Sequence, residues 1–286
     1  MLYSPRVNLK EADGLVALYD PTEELLEFSG PKVWFTIEPK WHHHFHSHPI
    51  GKKLMRKLDE SEHVFYGNPN PAYRVPHPTF RGPMTFPRQP VVREAAVACV
   101  SNYGGRLWFL KKHIWSRNRM ILDPLVELYG NLDSWKRFRD FPRVWRRGLP
   151  LNHQGRSSPG NGYYSDEYLL FLSEFKVAVC LENCLEERYF TEKYVNAARA
   201  GCIPVYHAHP SVREMFLKGA KWVDPADFGF SPSKTIRYAL EQDQAEFRRI
   251  NDAWLLSGAV ADTDDRDCIK KIHQILRRKL IAKAGK

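Results

Sequence analysis

Apolar positions along this chain fall into short bursts of strand length, separated by polar, charged or proline-bearing stretches. Val33–Ile37, His63–Gly67, Ala95–Val100, Val126–Gly130, Lys176–Leu181 and Cys202–Tyr206 are the bursts, and each predicts a buried strand. Between them the period lengthens toward that of a helix. Leu107–Trp115, a segment opening at Thr191, Pro210–Leu217 and Ser231–Leu256 read as helices. In the tail, residues 266–286, Ile269, Ile272, Ile275, Leu276 and Leu280 form one helical stripe. Strands alternating with helices predict an α/β protein with parallel sheets.

The clearest stretch runs from Phe175 to Val212. The strand KVAVCL ends abruptly at Glu182-Asn183, two polar side chains at the carboxyl edge of a parallel sheet. A polar loop, Cys184–Phe190, leads to Thr191, a residue type that caps helices, followed by Glu192 and Lys193. Gly201 supplies the stop, and CIPVY follows as the next strand. That is a βαβ unit, and ligands of open α/β sheets sit where strand ends meet helix N-termini. Unpaired amides there carry partial positive charge, and Lys193 adds a full one. The pattern predicts an anionic ligand, most simply a diphosphate; the alternative is a surface helix with an ordinary ion pair.

The chain has 286 residues, enough for one large domain or two ordinary ones. Prolines 69, 71, 76, 78, 83, 87 and 90 make residues 67–90 an extended connection, which places a domain boundary near residue 94. The net charge of +10 is uneven. Residues 95–162 hold 12 Lys and Arg against 4 Asp and Glu, whereas the flanking segments each carry a net +1. Such a segment suits nucleic acid or, equally, an electrostatic funnel for a phosphorylated substrate. No zinc-finger spacing, aromatic RNA-binding motif or phosphate-binding P-loop accompanies it, so nucleic acid is not expected as a partner. Five cysteines are an odd number, and Cys99, Cys180 and Cys202 sit in strand-like runs, as buried free thiols do. No apolar run of about 18 residues occurs, and Met1-Leu2-Tyr3 begins no signal peptide. The basic tail helix either packs onto the first lobe or lies on an anionic membrane surface, and packing is the expectation.

The order Glu182-Asn183, Tyr189-Phe190-Thr191-Glu192-Lys193, then Ala200-Gly201-Cys202-Ile203-Pro204-Val205-Tyr206 resembles the donor-binding motif of the α1,3/4-fucosyltransferase family. The spacing from Glu182 to Tyr189 is kept along with the residue types. Pro210-Ser211 and Trp222-Val223-Asp224 with Asp227-Phe228 resemble the family's downstream strand. Upstream, Ser101-Asn102 with Arg106 resembles a segment whose arginine reaches the donor diphosphate, and Gly155-Arg156-Ser157-Ser158 echoes a glycine-rich loop near the donor. Val33–Glu38 resembles a strand that ends in T-G-E-N, with Ile37 and Pro39 departing from that pattern. Exostosin-type transferases share the G-C-I-P-V strand but lack Y-x-T-E-K. The resemblance covers residues 95–230 well and 31–80 thinly.

It implies a metal-independent, inverting glycosyltransferase that moves L-fucose from GDP-fucose to an acceptor glycan. Together with the two sets of strand–helix signals it implies a GT-B fold, two Rossmann-like α/β lobes with a cleft between them. The acceptor-side lobe is then 1–94, the donor lobe 95–260, and 261–286 a basic amphipathic helix. By position Glu38 inherits the general base; otherwise it is a strand-end carboxylate in water. Arg106 and Lys193 face the diphosphate, Asn183 and Tyr189 hydrogen-bond the phosphates, and Glu192 holds the ribose. Glu182 fixes the loop or approaches the sugar, and Arg156 lies at the donor site. Histidines 42, 43, 44, 46 and 48 form an acceptor-side loop or a transition-metal site. Lacking the N-terminal anchor of animal members, the chain is expected to be a cytoplasmic enzyme of bacterial or viral type, or a Golgi-type catalytic domain without its anchor. A different donor sugar or nucleotide, and a non-catalytic nucleotide- or glycan-binding protein, are the alternatives.

Overall fold

The computed structural model describes residues 11–18, 27–36, 63–76, 93–99, 166–182, 185–229 and 232–285. In chain order the strands are β1 (Leu15–Leu18), β2 (Lys32–Phe35), β3 (His63–Val64), β4 (Arg93–Cys99), β5 (Phe175–Val179) and β6 (Ile203–Val205). The helices are α1 (Asp166–Ser173), α2 (Glu192–Ala200), α3 (Pro210–Met215), α4 (Pro232–Glu241), α5 (Gln244–Leu256) and α6 (Asp265–Ala284). The expected strand 126–130, the helix 107–115 and the histidine run 42–48 lie outside the described residues. The chain divides into two compact units, Met1–Pro78 with Asp262–Lys286, and Thr79–Ala261.

In the first unit β1, β2 and β3 pair in parallel, in that order. Helix α6 closes the unit by packing Ile272, Ile275 and Leu276 against Val33, Val64 and Val75. Its start is fixed by Asp264, whose carboxylate accepts from the Arg266 amide at 2.8 Å. Lys279 reaches back to donate to the carbonyl of Lys32 at 3.1 Å. The stripe read from sequence packs at its centre, but Ile269 at its N-terminal end is 52% exposed. An apolar stripe marks a helix face without saying how wide the neighbouring sheet is.

In the second unit β4, β5 and β6 form a parallel sheet in chain order, and Val223 adds a parallel bridge to Val205. Helix α2 makes the crossover from β5 to β6. Every one of its residues is buried, and Ala197, Ala198 and Ala200 keep it slim enough to lie deep in the core. Gly201 ends it at φ 77°, a left-handed conformation that a side chain would strain. Trp254, Phe190 and Tyr206 pack around its Tyr194 ring. Their polar ends find partners: Trp254 donates to the Phe216 carbonyl at 2.7 Å, and the Tyr194 hydroxyl lies 3.1 Å from both Asn251 Oδ1 and the Lys221 carbonyl. The stretch expected as one helix, 231–256, is instead α4 and α5. Asp243 breaks it, because its carboxylate caps α5 by accepting from the Ala245 amide at 2.8 Å. No helix among the described residues is long and apolar enough to cross a membrane.

Candidate functional site

β5 runs out into Cys180, Leu181 and Glu182, and the chain returns at Thr191 to start α2. Both points lie at the carboxyl edge of the same sheet, and the Glu182 carboxylate joins them. One oxygen accepts from the Thr191 amide at 2.8 Å and from the Tyr206 hydroxyl at 2.8 Å. The other accepts from the Thr191 hydroxyl at 2.6 Å and lies 3.6 Å from the Lys193 ammonium. The hydroxyl of Thr191 is thereby fully used. It donates to Glu182 and accepts from the Lys193 ammonium at 3.1 Å and from the Lys193 amide, at 3.5 Å, as the helix cap. Glu192 lies on the far side, 3.8 Å from the same ammonium.

This cluster is buried: Glu182, Glu192 and Lys193 are 2%, 7% and 6% exposed. Burial pushes the Glu182 carboxyl above its ordinary value, against the opposing pull of Lys193 and Thr191. Burial, and then the neighbouring Glu182 carboxylate, hold the Tyr206 phenol well above its ordinary value. The result is a buried cation between two carboxylates at a helix N-terminus. Buried ion pairs add little stability by themselves, so charges kept at a ligand-binding edge mark a functional candidate.

The loop before the cap is pinned from α3. Arg188 sits at φ 60° and donates its amide to Ser211 Oγ at 2.8 Å. Tyr189 is buried, with its amide on the Glu186 carbonyl at 3.2 Å. Phe190 stacks on Phe216 with centroids 5.0 Å apart.

At the end of the next strand lies a second charged group, of which the sequence reading named only Asp224, as part of a strand motif. β6 exits through Tyr206 into His207, and the segment bridged to β6 exits into Asp224. Their side chains meet at 2.8 Å, and Arg213 of α3 holds the other Asp224 oxygen at 2.5 Å. Burial alone would raise the Asp224 carboxyl. The bonds from His207 and the Ala226 amide, with the charges of His207 and Arg213, outweigh it and hold the group below its ordinary value. Arg213, Asp224, Lys221, Trp222 and Asp227 line an open pocket beside it.

Of the residues named from sequence, Glu182, Glu192 and Lys193 come together here, and Tyr189 lies on the loop that leads to them. Asn183, Arg106, Arg156 and Glu38 lie outside the described residues. Thr191 and Tyr206, named in the motif as a cap and a strand residue, prove to be partners of Glu182. A Thr-Glu-Lys helix start behind a strand ending in Glu was the available signal for the first. Nothing local signals the second, whose partner is 24 residues away.

No family model matches the chain. In sequence it is similar to Alpha-(1,3)-fucosyltransferase B of Drosophila melanogaster, at 29% identity over 126 residues. The match covers 40% of this chain and 28% of that protein, so the chain spans well under half the length of the relative. Among solved structures, an alpha1,3-fucosyltransferase aligns at 15% identity and a TM-score of 0.39, covering 94% of this chain and 80% of the other. Alpha1,3-fucosyltransferase structures with GDP and with GDP-fucose each align at 14% identity, with TM-scores of 0.33 and 0.32. Each of these two alignments covers 96% of this chain and 94% of the other.

Proposed function

We propose that this fucosyltransferase-like chain is an inverting glycosyltransferase that moves L-fucose from GDP-fucose to a hydroxyl of an acceptor glycan. The observation that carries the reading is the start of α2. A buried Thr-Glu-Lys turn stands at the carboxyl edge of a parallel sheet, locked to the preceding strand through Glu182. Amides and an ammonium at that place suit a diphosphate.

In this reaction the acceptor hydroxyl attacks C1 of the sugar, its proton passes to a carboxylate, and the C1–O bond to GDP breaks with inversion. Negative charge grows on the departing diphosphate, so fixed cations beside it lower the barrier. Lys193 and Arg106 are assigned that task. Arg106 suits it because a guanidinium can bond two phosphate oxygens at once. Glu192, an unsuitable neighbour for phosphate, takes the ribose hydroxyls, while Asn183 and Tyr189 take phosphate oxygens and Arg156 stands near the donor. Glu182 is a positioning residue that holds the cap and the lysine. Glu38 is the general base. The fold that accompanies this reading is GT-B.

The test is a melting-temperature screen against GDP, GDP-sugars and UDP-sugars, paired with a transfer assay. GDP stabilises the protein without added metal, by about 2.7 kcal/mol at 100 times its dissociation constant. Chelator leaves turnover unchanged. Glu38→Gln lowers turnover by about 10²–10⁴-fold at unchanged GDP affinity. A shift with UDP-sugars alone would overturn the donor assignment and leave the transferase class standing. Binding without any transfer would make the chain a nucleotide-binding protein.

A further inference from the structure

Helix α6 has two faces, and only one of them is used by the core. At 100° per residue, Cys268, Ile272, Ile275 and Leu276 group on the inner side, where each is at most 4% exposed. Roughly opposite, Arg266, Lys270, Arg277 and Ile281 fall within about 60° of arc. All four are exposed: the side chains of Arg266 and Lys270 are 80% and 70% accessible, and Ile281 is 63% exposed. Arg278 extends this face on one side, and Ile269 borders it on the other, also exposed. The helix is 20 residues long, so the face runs for about 30 Å.

Its charge is one-sided. From Cys268 to Lys286 the sequence has seven Lys and Arg and no Asp or Glu. Near the N-terminal end the cations are partly balanced, Arg266 by Asp264 and Lys270 by Asp267. Arg277 and Arg278, beyond the reach of those carboxylates, flank Ile281. Fold stability does not call for this arrangement: the inner face already closes the core, and an isoleucine left in water contributes nothing to it. A straight cationic row with exposed branched aliphatics beside it fits a flat anionic surface that also accepts apolar side chains. A bilayer interface has both properties.

We propose that the outer face of α6 is a docking surface for a bilayer rich in anionic lipid. The arginines and lysines meet the headgroups, and Ile281 and Ile269 enter the boundary beneath them. A nucleic acid would satisfy the charges but leave both isoleucines without a partner. The inference is independent of the donor site, since every residue in it belongs to the other compact unit.

The test is flotation of the whole chain with phosphatidylcholine vesicles, with and without about one-third phosphatidylserine. The protein floats with the anionic vesicles only, and raising salt to about 0.5 M releases most of it. Lys270→Glu with Arg277→Glu and Arg278→Glu lowers the bound fraction at least about tenfold. Ile281→Ser lowers it by a smaller factor, about threefold, at unchanged charge. Both variants keep the wild-type melting temperature and GDP affinity, so a folding defect cannot imitate the result. Equal flotation with neutral and anionic vesicles would overturn the proposal. So would binding that survives the triple reversal, or binding to a single-stranded oligonucleotide but to no vesicle.

Discussion

Helices α2 and α6 are both rich in charge, yet they treat it in opposite ways. α2 buries Glu192, Lys193 and Arg199, whereas α6 leaves Arg266, Lys270, Arg277, Arg278 and Lys283 exposed and buries its apolar stripe. Removing a charge from water costs several kcal/mol unless partners replace the water. Around Lys193 the replacement is specific: Glu182 and Thr191 hold its ammonium between them. Charges so placed are constrained in position, which a ligand site requires. Those of α6 are constrained only in sign, which is enough for a diffuse electrostatic contact.

This contrast predicts a graded series of effects. Glu182→Ala is the most damaging, since it strands Lys193 in the interior and strips three hydrogen bonds. It should cost about 3–5 kcal/mol in a denaturant melt. Next, Asp224→Ala leaves the buried His207 without its carboxylate partner and should cost about 1–3 kcal/mol. The same residue gives a pH signature. Its folded-state pKa lies below the unfolded one, so its contribution is present above the ordinary aspartate range. That contribution fades as pH falls through the lowered folded value, so the acid limb of the stability profile should flatten in Asp224→Asn. Thr191→Ala removes a helix cap and should cost about 1 kcal/mol. Smallest is Arg277→Ala on the outer face of α6, within about 0.5 kcal/mol of wild type. A large loss there would erase the distinction between the two helices.

How much of this was legible in the sequence follows from how local each feature is. The β5–α2–β6 unit was, because its signals are neighbours in the chain: a valine-rich run, a threonine cap, a glycine stop. The break at Asp243 was missed although it too is local, since an aspartate inside a helical pattern reads as a solvated side chain until its capping bond is seen. The tail stripe gave the packing face, but not that Ile269, in the same stripe, stays 52% exposed outside the cluster that Ile272, Ile275 and Leu276 join. The Glu182–Tyr206 and His207–Asp224 pairs join residues 24 and 17 apart, on the ends of separate strands. Only the register of the sheet brings them together, and no spacing rule encodes that. For Glu182 the sequence reading allowed two roles, holding the loop or approaching the sugar; in the structure its carboxylate bonds Thr191 and Tyr206 and lies 3.6 Å from Lys193.

The central proposal is that Lys193, in the buried first turn of α2, binds the diphosphate of a sugar nucleotide. Calorimetric titration of GDP into wild-type protein and Lys193→Ala, without added metal, tests it most directly. The expected result is measurable binding by the wild type and a loss of about 1.5–3 kcal/mol of affinity in the variant, which still melts cooperatively. Equal affinity in the two proteins would contradict the claim and return α2 to the status of a structural helix.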